Sequence, residues 1–169
     1  IPIVTLMDTP GADAGEEANL NNQAHSISRL ISEMTNVDTP SVGIILGAGY
    51  SGGAIPLAST NILLSVRDGI FNTIQPQGMA SIARKYNLSW QECAKYVGVS
   101  AYELLKNNVI DGIIDYAPSD RIDQIQNLLN AITSSILSIE RGAENFAREN
   151  PYLMDHYQRS VERYLNPSN

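Results

Sequence analysis

One segment constrains this chain more than any other: Gly47-Ala48-Gly49-Tyr50-Ser51-Gly52-Gly53-Ala54, in which four of eight residues are glycine. It follows the apolar run Val42-Gly43-Ile44-Ile45-Leu46 and precedes the small-residue stretch Ala54-Ile55-Pro56-Leu57-Ala58. The run reads as a buried strand and the stretch as a helix start. Glycine lets a backbone turn tightly and approach a ligand closely. The first residues of a helix leave N–H groups unpaired, with the positive end of the helix dipole behind them. Gly53 and Ala54 can thus aim two N–H groups at an oxygen that develops negative charge. A phosphate loop would need the lysine of G-x-x-x-x-G-K-[ST], which is absent here.

Two further strand-to-helix junctions flank this one. The run Ile3–Met7 ends in Asp8-Thr9-Pro10-Gly11-Ala12, and Ile70–Ile74 ends in Gln75-Pro76-Gln77-Gly78. Residues 18–35 carry Leu20, Ala24, Ile27, Leu30, Ile31 and Met34 at helical spacing. Ile62–Val66 reads as a strand, and Val109–Asp115 as a strand broken by a turn. Ser89-x-x-Glu92 and Ser100-x-x-Glu103 are capping boxes that each start a helix. From Asp120 to Glu140, Ile122, Ile125, Leu128, Leu129, Ile132, Ile136 and Leu137 mark a long amphipathic helix. Tyr152–Leu165 reads as a further polar, tyrosine-rich helix. Strands alternating with helices predict an α/β fold with a largely parallel sheet.

Side chains suited to catalysis are scarce. His25 falls beside the apolar stripe of its helix, and His156 lies in a polar segment; both read as surface histidines. With a single cysteine, Cys93, two histidines make no zinc site of the usual spacing. Cys93 follows Trp90 on a helix and reads as a packed thiol, which points to a reducing, cytoplasmic setting. Ser51 lacks the partners of a nucleophile elbow. A formal net charge of −7 with eleven dispersed Lys and Arg speaks against nucleic acid as a partner. No apolar run approaches the ~20 residues of a membrane helix. The opening Ile1–Met7 places a core strand at the first residue, which suggests a chain cut from something longer.

Taken in order, Asp8–Ala12, Gly47–Ala54 and Gln75–Ile82 resemble the α half of biotin-dependent acyl-CoA carboxyltransferases, the acetyl-CoA carboxylase type of the crotonase superfamily. Gly98–Leu105 with Val109–Ile114 resembles the helix and strand that follow in that family. The likeness covers about residues 1–118 and leaves 119–169 as a C-terminal helical segment. It implies a crotonase-type α/β spiral, in domains that pair face to face. It also implies a β-type partner half, a biotin carboxyl carrier protein, carboxybiotin and an acyl-CoA, with acetyl-CoA first.

The resemblance further assigns Gly53 and Ala54 to the biotin ureido oxygen, and Pro10, Gly11, Gly49, Gly52, Gln77 and Gly78 to the substrate edge. No metal is implied. Asp13 and Ala14 stand where the family often has an aromatic residue and a proline. Asn21-Asn22 precedes Gln23 where an Arg-Gly is usual. Two other readings share the motifs: a malonyl-type decarboxylase subunit, and a structural half that completes a partner's site.

Overall fold

The computed structural model describes residues 1–116 and 121–152. Among the described residues, five strands form one parallel sheet: β1 (Ile3–Thr9), β2 (Ser41–Tyr50), β3 (Ile62–Val66), β4 (Ile70–Asn72) and β5 (Gly112–Ile114). The order across the sheet is β1-β2-β3-β5, with β4 also on β2. Between them run α1 (Glu16–Leu20), α2 (Gln23–Thr35), α3 (Ser51–Ala58), α4 (Pro76–Ile82), α5 (Trp90–Val97) and α6 (Ala101–Lys106), and α7 (Ile122–Glu149) follows β5.

The central strand is apolar on both faces, as helices covering both sides of a parallel sheet require. Val42 and Ile44 join Leu64 and Ile114 beneath Leu128, Ile132 and Ile136 of α7. Ile45 and Met7 turn the other way, into a cluster with Ala54, Leu63, Ala101, Leu104 and Ile110. β3 and β4 run end to end along β2. β3 pairs with Val42–Ile45 and β4 with Ala48–Tyr50. Asp111 docks β5 onto β3: its carboxylate accepts the Leu63 N–H at 2.8 Å and its own N–H donates to the Leu63 carbonyl at 2.7 Å.

Several elements differ from the sequence reading. The helix expected over 18–35 is two helices, because Asn22 takes a left-handed conformation with φ 57°. β4 stops at Asn72 and β5 covers only Gly112–Ile114. α7 runs to Glu149, past the expected end at Glu140. The helix expected from Tyr152 lies, beyond that residue, outside the described part, as does the boundary placed at 118.

The capping box of α5 forms as expected. Ser89 Oγ accepts the Glu92 N–H at 3.3 Å, and the Glu92 carboxylate accepts the Ser89 N–H at 2.8 Å and hydroxyl at 2.7 Å. The hydroxyl and then the backbone bond hold the Glu92 carboxyl below its ordinary 4.5. A depressed folded-state value stabilises the fold above the ordinary glutamate range, and that contribution fades as pH falls through the lowered value. Ser89→Ala removes the N-cap acceptor of α5 and should cost about 1 kcal/mol at neutral pH. Urea midpoints at pH 7 and about pH 3.5 check this, with the gap to wild type narrowing in acid.

Candidate active site

The three glycine- and proline-rich junctions meet at one end of the sheet. The first turn and the second touch backbone to backbone. Gly11 has φ +113°, and a Cβ there would lie 2.9 Å from the Tyr50 carbonyl oxygen and 3.0 Å from Ser51 Cβ. A Cβ on Gly53 would lie 3.0 Å from the Gly11 carbonyl carbon and 3.3 Å from the Ala12 nitrogen. Only glycine lets the two chains approach this closely. The third junction is tied in by a side chain: Gln75 Nε2 donates to the Pro10 carbonyl at 2.8 Å.

The glycine-rich segment is a strand for half its length. Gly47–Tyr50 continue β2, and the reversal comes at Ser51, whose φ of +58° is rare for a residue with a side chain. Tyr50 is the N-cap of α3. Burial pushes its phenol pKa up. Ser51, Gly52 and Gly53 are the first three helical residues, the positions whose N–H groups have no acceptor within a helix. Ala54 is fourth and fully buried. Regular helical bonding gives its N–H to the Tyr50 carbonyl, since the N-cap carbonyl accepts the first bond of a helix. The Ala12 N–H has no acceptor among the described residues. The Gly11 N–H is held by Thr9 Oγ1 at 3.2 Å.

The sequence-predicted residues thus divide. Pro10, Gly11, Gly52 and Gly53 come together at the junction. Gly49 is buried against the Phe71 ring, and Gly78 packs on Ile74, so the lack of a side chain serves close packing at both. Gln77 is exposed on α4. Gln75, which sequence reading passed over, makes the contact between junctions. In the sequence Asp8 only opens a turn motif; in the structure it lies within β1, and its Oδ1 accepts the Ala48 N–H at 3.0 Å. Neither role has a pattern in the sequence, because both are long-range side-chain contacts.

Beside the Gly11–Ala12 turn lies an open cleft of about 480 Å³ lined by Asp13, Ala14, Gly15, Glu16, Asn19, Gln23 and Ala24. Its charged residues are both carboxylates, so it repels phosphate. Cys93 is buried and His25 exposed, as the sequence indicated. No cluster of three metal-ligating side chains occurs among the described residues, and none of their helices is long and apolar enough to cross a membrane.

With this geometry in hand, comparison with known proteins is specific. Residues 1–161 match the model of the family described as acetyl co-enzyme A carboxylase carboxyltransferase-like. The chain is 35% identical over 145 residues to the acetyl-coenzyme A carboxylase carboxyl transferase subunit alpha of Fusobacterium nucleatum. That match takes in 83% of this chain but 46% of the relative, so the chain spans about half of the longer protein. In fold it is similar to a chain of the Pseudomonas malonate decarboxylase hetero-tetramer, with a TM-score of 0.70 and 12% identity over 90% of this chain and 67% of that one. It is also similar to the transcarboxylase 12S core, with a TM-score of 0.68 and 15% identity over 82% of this chain and 26% of that one. The architecture is that of the crotonase-fold carboxyltransferases, and the chain belongs to the acetyl-CoA carboxylase carboxyltransferase-like family.

Proposed function

We propose that this chain is the α half of a biotin-dependent carboxyltransferase that moves a carboxyl group from carboxybiotin to an acyl-CoA, acetyl-CoA first. The observation that carries the reading is that open backbone amides lie close together where two turns meet. Ser51, Gly52 and Gly53 lack helical acceptors, and the Ala12 nitrogen lies against Gly53.

This donor set fits the biotin ureido oxygen. It consists of neutral N–H groups on surfaces without side chains, at the positive end of a helix. A flat acceptor can reach it, and no lysine stands ready for a phosphate. Biotin, arriving carboxylated on a carrier protein, supplies the group to be transferred. The residues of this chain hold the oxygen and stabilise the charge that grows on it. Such preorganised donors contribute roughly 3 kcal/mol each where measured. The helix bonding pattern favours Gly52 and Gly53, with Ala12 across from them, over Ala54 as the donors. The Gln75–Pro10 bond fixes the distance between the edges of the site.

The carboxylate-lined cleft supports a division of labour in which a β-type half holds the phosphates of coenzyme A. The name of the Fusobacterium relative, a subunit alpha, supports a multi-subunit assembly. A biotin carboxyl carrier protein and a face-to-face pairing of crotonase domains complete the proposed complex, in the cytoplasm.

The reverse reaction tests this reading. The chain reconstituted with a β-type half, given malonyl-CoA, should consume it only when free biotin is added. Consumption without biotin would identify a decarboxylase subunit instead. If a different α half restored turnover and this chain did not, its role would be structural.

A further inference from the structure

β2 changes neighbours halfway along. Val42–Ile45 pair with β3, and Ala48–Tyr50 pair with β4. The ladder on its other side slips at the same place. Met7 faces Ile45, but the next pair is Thr9 with Gly49. Asp8 therefore stands alone opposite Leu46, Gly47 and Ala48. A bulge of this kind bends its strand and leaves backbone groups unpaired. Here the Asp8 carboxylate fills the gap, because Oδ1 accepts the Ala48 N–H at 3.0 Å. The fit is tight: a Cβ on Gly47 would lie 2.5 Å from that oxygen and 2.8 Å from Cγ. Three residues beyond Ala48 the chain reverses into α3 at Ser51.

We propose that Asp8 is a positioning residue whose carboxylate pins the bend in β2 and so aims the Gly52 and Gly53 amides at the Gly11–Ala12 turn. The inference rests on the reading of those amides as the oxygen-binding groups. Its chemistry is that of an acceptor, and the negative charge is not needed for it. Asn carries an oxygen at the same reach and can take over the Ala48 bond.

In the complex with a β-type half, Asp8→Ala should lower kcat about 10- to 100-fold, as small displacements of catalytic groups do, and change KM about twofold at most. Asp8→Asn should recover most of the loss. Gly47→Ala, which displaces the carboxylate from the other side, should reproduce it. A second readout needs no turnover. In the isolated chain, Asp8→Ala should speed hydrogen exchange at the Ala48 amide and shift the amide resonances of Gly52 and Gly53. Asp8→Asn should leave those signals close to wild type.

Two results would overturn the proposal. One is an Asp8→Ala chain with unmoved Gly52 and Gly53 signals. The other is an Asp8→Asn enzyme as impaired as Asp8→Ala while those signals stay in place, which would make the charge itself the active feature. If the wild-type complex shows no biotin-dependent turnover, the reading of the site fails, and the amide signals still decide whether Asp8 sets the bend.

Discussion

Gly53→Ala is expected to lower carboxyl transfer by the reconstituted enzyme about 10²- to 10³-fold, the loss seen when one oxyanion donor is misplaced. The cause is steric and specific. The new methyl group would lie 3.0 Å from the Gly11 carbonyl carbon and 3.3 Å from the Ala12 nitrogen, and both are backbone atoms that cannot rotate away. The two turns must part, and the donors part with them. Gly52→Ala is the control. Its Cβ would point at Ile27 of α2, with methyl carbons at 3.4 and 3.6 Å, which a side chain accommodates. It keeps the amide and should retain activity within a few-fold of wild type, because it removes no donor. Steady-state kinetics of the two variants beside wild type measure the contrast. Equal activity of Gly53→Ala and Gly52→Ala would remove the close contact of the turns from the mechanism.

The largest loss of stability is expected from Ile45→Ala. Ile45 has no exposed surface and sits in the cluster with Met7, Ala54, Leu63 and Leu104. Truncating a buried isoleucine to alanine costs about 2–5 kcal/mol, the transfer term plus the cavity left behind. Against a typical domain stability of about 5–15 kcal/mol, that is a large share. Ile45→Val, which removes one methylene, should cost only about 0.5–1.5 kcal/mol. Urea unfolding gives both values, and an unchanged slope would show that the denatured state is unaffected.

The parts of the fold written in local chemistry were legible in the sequence. Ile3–Met7, Val42–Leu46 and Ile62–Val66 are apolar runs bounded by turn residues, and each became a strand, although β1 is buried on one face only, with Thr5 and Met7 inside and Val4 and Leu6 exposed. The capping box at Ser89 announces α5, because a cap needs only residues three apart. The three junctions were visible for the same reason. What escaped was set by tertiary context. Gly47–Tyr50 read as a turn, but β4 pairs with Ala48–Tyr50 and β1 with Gly49, which keeps this end of β2 extended. The Asn21-Asn22 break in the first helix had a signal in the asparagines, whose short polar side chains tolerate the left-handed region. Gly142 did not end α7, since a glycine with open space on every side costs a helix only about 1 kcal/mol. Gln75 and Asp8 were missed because their partners, Pro10 and Ala48, are remote in sequence.

The bond from Gln75 to the Pro10 carbonyl spans 65 residues. The contact of Gly53 with the Gly11–Ala12 turn also joins separate strand–helix units. No single stretch of chain therefore contains a precursor of the site. During folding, a βα unit can collapse on local apolar contacts, but the clasp between junctions must wait for β1 to find β2 and for Gln75, at the start of α4, to reach the Pro10 carbonyl. The site is then a late product of folding and an early casualty of partial opening. On dilution from denaturant, helix content should return before the ability to turn over substrate, with the interval set by chain closure and not by chemistry.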